Sequence, residues 1–380
     1  YWTNSIGQYL VKEAQLQIGS QPIDTVYADF LFCWEELTGK PGRKLNEMVG
    51  KQKTVALAKH RSKFFRRLYV PLPFCFCRNS GQSLPIVSLQ FHDVQVGVTF
   101  NEVAKAVVNG AGLNGNSAPA HSVGGALQTV IRPNSASIND KLTNGSLTRF
   151  GVAGGGPSGN TTQSVITLNN QAVKVYLEAM YVYLDVQERQ KFAEGSFEII
   201  MDECQKINKP TLTKSGQEQI NLRFNHALIE LIWCASQSHF TDNNDHFNYS
   251  GLTEPLTGAK LDPLVEVDLK LNNQCRFAAA EARYFRLVQP WQHHTNVPEC
   301  FVYSYSFALY PEDAQPSGSC NFSRIDNAVL TLTPDASLFS DNTKVGGLDL
   351  SSNKLDILVF ARNLNVLRIT LGLAGKAYAN

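Results

Sequence analysis

The run QPSGSCNFSRIDNAVLTL at positions 315–332 places Ser319, Cys320, Arg324 and Asp326 close together. Those types could build a nucleophile with its helpers. A hydrolase elbow, however, needs Gly-x-Ser-x-Gly between a strand and a helix. Here Pro316 and Gly318 form a turn, and apolar/polar alternation begins near Asp326. The Ser and Cys therefore lie in a loop feeding a strand, with no histidine nearby in sequence. The run reads as a connector.

Other candidate motifs fail on context. GAGLNG at 110–115 fits G-x-G-x-x-G, but NSAPAHSVGG follows it and cannot form the helix whose N-terminus receives a pyrophosphate. GPSGNTT at 156–162 lacks the P-loop lysine. WQHHTNVPEC at 291–300 offers His293, His294 and Glu299. Adjacent histidines on a strand point to opposite faces, so no metal pair results, and a polar corner is expected. DNNDHFNYS at 242–250 is acidic but lacks the glycine and glutamate of a calcium loop. KHRSKFFRR at 59–67 interleaves cations with Phe64 and Phe65, which reads as a solvated face or subunit contact. No catalytic, cofactor or metal residue is assigned. Asn144, Asn160, Asn248 and Asn321 stand in N-x-Ser/Thr sequons and are candidate glycosylation sites.

The scaffold that would carry any site is mostly β. In LVEVDLKL, Val265, Val267, Leu269 and Leu271 alternate with polar residues, the pattern of a half-buried strand. VKVYLEA (within a strand expected at 173–184), IVSLQF, AVLTLT and LRITLGL (within one at 366–374) read likewise. Helices are expected at 27–37 and 186–194, and a long Gly/Asn/Ser-rich loop at 101–162. The 380 residues exceed what one core normally serves. The two halves look duplicated. EAQLQIGSQ (13–21) and EVDLKLNNQ (266–274) share Glu-x-x-Leu-x-apolar-x-x-Gln. The second copy has strand-like FEIIM, INLRF and ALIELIW before this landmark. The first has no counterparts, so its opening strands are expected to be missing from this sequence.

Composition narrows the function classes. Charged residues are 18% and the formal net charge is +1, which gives no general attraction to nucleic acid or anionic lipid. The apolar runs are too short for a membrane-spanning helix. The eight cysteines show no CxxC pairing and read as reduced thiols.

Several long stretches carry a resemblance: LYVPLPFCFCRNSGQSLPIVSLQFHDV (68–94), YVYLDVQERQKFA (181–193), FNHALIELIW (224–233), YFRLVQPWQHHT (284–295), PSGSCNFSRIDN (316–327) and ARNLNVLRITLGLAGKAYAN (361–380). They resemble the major capsid proteins of large icosahedral double-stranded DNA viruses, such as algal viruses and iridoviruses. The resemblance implies a double jelly roll, two tandem eight-stranded antiparallel sandwiches. The first would span 1–185, without its opening strands, a linker helix 186–197, and the second 198–380. It also implies a structural, non-enzymatic role in a virion. Three chains would form a pseudo-hexameric capsomer, contacting neighbouring capsomers, minor capsid proteins and, through those, an inner membrane. No direct nucleic-acid partner and no cofactor are expected, and assembly would take place in the host cytoplasm. Family members carry glycans on outward loops, not always at N-x-Ser/Thr. Exposed aromatics on the long loops, Trp291 and Phe247, are the expected trimer contacts. A sugar-binding jelly-roll lectin is the competing reading; it predicts monomers or small oligomers with glycan affinity.

Overall fold

A computed structural model describes residues 1–40, 42, 45–61, 67–108, 175–207, 210–213, 216–253, 260–339 and 353–378. In the first half, β1 (Val11–Ile18) and β2 (Gln21–Tyr27) form a hairpin, the Ala28–Thr38 helix follows, and β3 (Val94–Phe100) pairs with β1. The Val186–Glu194 helix opens with a reciprocal Asp185/Glu188 capping box. Beyond it come β4 (Phe197–Lys206), β5 (Thr211–Leu212), β6 (Glu218–Asn221) and β7 (Ala227–Gln237). The hairpin β8 (Leu264–Leu271) and β9 (Gln274–Glu281) is followed by a π-turn at Tyr284–Val288 and a helix at Gln289–His293. The chain continues through β10 (Val302–Ser306), β11 (Cys320–Asn321), β12 (Ala328–Pro334), β13 (Leu355–Thr370) and β14 (Leu373–Lys376).

The described strands form three antiparallel sheets. Their orders are β2-β1-β3, β6-β12-β8-β9, and β10-β7-β13-β14 with β11 on β7 and β4 and β5 on β13.

The two hairpins share spacing and two of their irregularities, while β8–β9 carries a further register shift between Val267 and Leu269 that β1–β2 lacks. Each residue of β8–β9 lies 253 positions after its counterpart in β1–β2, as Leu269 after Leu16 and Phe277 after Asp24. Pairing runs from Leu16↔Asp24 to Gln17↔Pro22, and from Leu269↔Phe277 to Lys270↔Cys275, so one bulge recurs at one place. A second bulge leaves Lys12 unpaired against β3 and Val265 unpaired against β12. That bulge explains why Val265 does not join Val267 and Leu269 on the inner face. It is 49% exposed, while Leu264 turns inward.

Three other strand expectations change. IVSLQF does not form a strand: Pro85 leads into a 3-10 turn at Ile86–Ser88. The strand lies later, where Val94, Val96 and Val98 share one face against the core. Within LRITLGL, β13 ends at Thr370, and Leu371 and Gly372 turn the chain with φ of 51° and 79°. Residues 175–184 run exposed and outside any sheet, with Met180 and Tyr183 more than nine-tenths exposed.

The sheet centred on β13 is buried on both faces from Ile357 to Asn363. One face closes the second half's core, where Trp233, Phe285 and Tyr303 pack together. The other receives the first half. Phe30 lies 5.7 Å from Phe360 between ring centroids, and Trp34 stacks over the Arg362 guanidinium at 4.0 Å. The edge of β2 meets the second half too: Cys204 N–H donates to Asp24 (3.0 Å) and Lys376 N–H to Gln21 (3.3 Å).

Candidate functional site: a polar seam and an exposed apolar face

The motifs screened for catalysis have structural jobs. Cys320 pairs with Leu228 across β11 and β7, and burial pushes its thiol up, against a nucleophilic role. Ser317 accepts the Tyr310 N–H, and Asn321 accepts the Ser323 N–H as a turn cap. Residues 289–293 are helical rather than extended, so the argument from opposite strand faces does not apply. His293 instead faces the Leu309 carbonyl at 3.0 Å, while His294 enters a buried cluster. Glu299 is exposed. Among the described residues no group of His, Cys, Asp and Glu is arranged to hold a metal. GAGLNG, GPSGNTT, most of KHRSKFFRR, Asn144 and Asn160 lie outside the described residues.

Two surface expectations need correcting. Phe247 is not exposed: its ring stacks on Phe32 at 4.6 Å inside the core. Asn248 is buried as well. Its amide donates to Asp245 (2.8 Å), and its oxygen accepts from Ser250 (2.6 Å) and Lys260 (3.2 Å). An N-linked glycan would have to leave from that buried amide nitrogen, which has no room for it, so Asn248 is a structural residue of the 242–250 loop. Asn321 remains on the surface, and Trp291 is 75% exposed.

A cluster of charges lies under the seam between the halves. Arg362 on β13 donates from Nε and Nη2 to Asp202 Oδ2 (3.1 and 2.7 Å), and from Nη1 to Glu230 Oε1 and the Pro311 carbonyl. Arg78, from the first half, pairs with the other Asp202 oxygen. His294 Nε2 lies 3.0 Å from Glu230 Oε2 as an ion pair, and Nδ1 lies 3.3 Å from Glu312. With a carboxylate at each ring nitrogen, the imidazole is held as a cation. Burial alone would lower its pKa, but Glu230 and Glu312 outweigh that and raise it to about 9. Burial likewise favours neutral Glu230, yet His294 and Arg362 pull it down to about 2. Asp202 is depressed despite burial by Arg362 and Arg78. Arg78, Arg362 and protonated His294 balance Asp202, Glu230 and Glu312, which is what lets the group stay buried.

Sequence reasoning missed this cluster. Its signal was a lone charge inside an apolar strand, Glu230 in ALIELIW and Arg362 in LVFARNL. A cleft of about 210 Å³ opens beside it, lined by Asn79, Gln82, Asp202, Glu312 and Arg362 among others. It is smaller than the roughly 300–1,000 Å³ of ordinary ligand pockets, and its charges are already paired. The cluster is suited to clamping two halves together rather than to turnover.

The duplication exposes a contrast. In the first copy, β2 and the helix after it are buried on the second half. In the second copy, β9 is exposed along nearly its whole length. Beside it Tyr284, Leu287, Val288 and Trp291 form an apolar face with 40, 41, 38 and 75% exposure.

Comparison with known proteins converges on one kind of molecule. A model described as "Large eukaryotic DNA virus major capsid protein" matches residues 188–375, and one described as "Major capsid protein N-terminus" matches 1–185. The major capsid protein of Pyramimonas orientalis virus is 31% identical over 100% of this chain and 78% of its own length. That of Paramecium bursaria Chlorella virus 1 is 30% identical over 98% of this chain and 79% of its own. Among solved structures, a quasi-atomic model of the PBCV-1 virus capsid matches with a TM-score of 0.64 and 27% identity, covering 100% of this chain and 86% of that one. The Faustovirus major capsid protein shares the fold, with a TM-score of 0.56 at 13% identity over 97% and 73% of the two chains.

Proposed function

The chain belongs to the major capsid proteins of large eukaryotic DNA viruses, and we propose that three copies close into the pseudo-hexameric capsomer that tiles the virion shell. Its fold is the double jelly roll of that family, and its place is the capsid. We divide it at 1–185, 186–197 and 198–380, and assign it no enzymatic activity. Neighbouring capsomers and minor capsid proteins would be its partners, with an inner membrane reached through the latter and assembly in the host cytoplasm.

The observation that carries the trimer is the unequal burial of duplicated surfaces. The Ala28–Thr38 helix and β2 bury themselves on the β13 sheet of their own chain. Their copies, β9 and the Tyr284–His293 segment, have no such cover among the described residues. Residues 175–185 follow β3 as β13 follows β12, and they too are apolar and exposed. Each chain thus presents a free donor face and a free acceptor face, the two halves of a contact it already makes internally. Faces of that kind join copies head to tail, and such a contact closes into a ring when its rotation allows. Contact between copies would bury Leu287 and Trp291, aromatic and aliphatic anchors of the sort that dominate interfaces.

Light scattering on size-exclusion fractions tests this. Wild type should elute as a trimer, and Leu287→Asp with Trp291→Asp should give a folded monomer. A trimer that survives the double substitution removes this face from the interface. A monomeric wild type would overturn the trimer.

A further inference from the structure

Cys33, on the first half's helix, and Cys234, on β7, are both fully buried, with sulfurs 3.9 Å apart across the seam. They are 201 positions apart in sequence. We propose that this pair is an oxidation site that forms an intramolecular disulfide and so ties the two halves covalently. The inference is independent of how copies assemble, because both sulfurs lie inside one chain.

The geometry is close to what the bond needs. A disulfide holds its sulfurs about 2.05 Å apart, so the 3.9 Å gap must close by roughly 2 Å. The sulfurs pack near Tyr249, whose hydroxyl donates to Asp29 (3.1 Å). Burial raises the Cys33 thiol well above its ordinary value, as do Cys234, Asp29 and Glu36 around it. The reaction is therefore slow and follows local opening of the seam. The oxidant is a small peroxide. One thiolate sulfur attacks a peroxide oxygen, the O–O bond breaks, and the departing hydroxide leaves as water. The second sulfur then displaces the sulfenic hydroxyl, which also leaves as water with that thiol's proton. Two thiols and one hydrogen peroxide thus become one disulfide and two waters.

The test is hydrogen peroxide treatment of the folded full chain, followed by non-reducing peptide mapping. Exposed Cys77 and Cys275 report that the oxidant has acted. The expected product is a linked Cys33–Cys234 peptide, lighter than its two parts by two hydrogens. In a Cys77→Ser/Cys275→Ser background, oxidation should raise the thermal midpoint by about 5 °C or more, because the bond closes a very long loop. A thiol reductant should reverse the rise, and Cys33→Ser or Cys234→Ala should each abolish it. Oxidised Cys77 and Cys275 with Cys33 and Cys234 unlinked would overturn the proposal.

Discussion

The buried imidazole at position 294 makes a prediction with a definite sign. Its folded pKa, about 9, lies above the ordinary 6.5 because Glu230 and Glu312 face its two nitrogens. A group raised in this way contributes stability that is complete below pH 6.5 and lost as pH climbs through 9. At about 1.4 kcal/mol per pH unit, the rise corresponds to about 3 kcal/mol. Most of that is present at pH 7 and none of it at pH 10. Thermal midpoints of wild type and His294→Gln, measured from pH 6 to 10, should therefore converge at the alkaline end. Differences between the two curves cancel lysine and thiol titrations that both proteins share. On the acid side Glu230 behaves oppositely: depressed to about 2, it holds its contribution above pH 4.5 and loses it as pH falls toward 2. Parallel curves for the two proteins between pH 7 and 10 would refute the cationic assignment.

Arg362→Met should cost about 3–5 kcal/mol, since it leaves buried Asp202 with Arg78 alone and Glu230 with His294 alone; adding Asp202→Asn should recover part of that in urea melts. Phe247→Ala should destabilise the isolated chain by about 3–5 kcal/mol by emptying its place against Phe32. By contrast, Trp291→Ala should shift the isolated chain by less than about 0.5 kcal/mol and show its effect in oligomer dissociation. Leu371→Asn should add about 0.5–1 kcal/mol, because Leu371 holds φ 51° and Asn-Gly is the favoured pair at such a hairpin turn; an unchanged thermal midpoint would contradict it.

The strands whose alternation has a single wet face, such as β1 and β12, were legible from period alone. So were both longer helices, which start at Ala28 and Val186, within one residue of expectation. What escaped was set by more distant contacts. A bulge reversed Val265, and it depends on pairing with β12 far along the chain. Phe247 follows a polar run and reads as a loop aromatic, but Phe32 sits opposite it from the other end of the sequence. The charge cluster draws on residues from 78 to 362, and each is locally an anomaly rather than a pattern. Nothing in WQHHT distinguishes His293, on the surface side of its turn, from His294, enclosed by two carboxylates.

The duplicated hairpins also show one architecture with two kinds of surface, one buried within the chain and one exposed. Positions facing inward keep their character: Ala14 and Val267, Leu16 and Leu269, and Phe32 and Phe285 are all buried. Positions facing outward diverge. Cys33 and Trp34, sealed within the chain, correspond by the same spacing to Arg286 and Leu287. The first contact forms as the chain folds, so it can bury apolar groups such as Phe30, Cys33 and Trp34 around its clamp. A contact between copies must be soluble beforehand. Outside the anchors Leu287, Val288 and Trp291, the exposed copy accordingly carries Gln274, Arg276, alanines and Glu281 along β9. An unblocked edge strand of that length risks pairing with wrong partners. Its small and charged side chains limit that risk, while the apolar anchors sit beside it on the helix, where docking demands a defined orientation. If the proposed trimer forms through the exposed copy, its modest hydrophobicity is what would let the chain reach that assembly without binding wrong partners first.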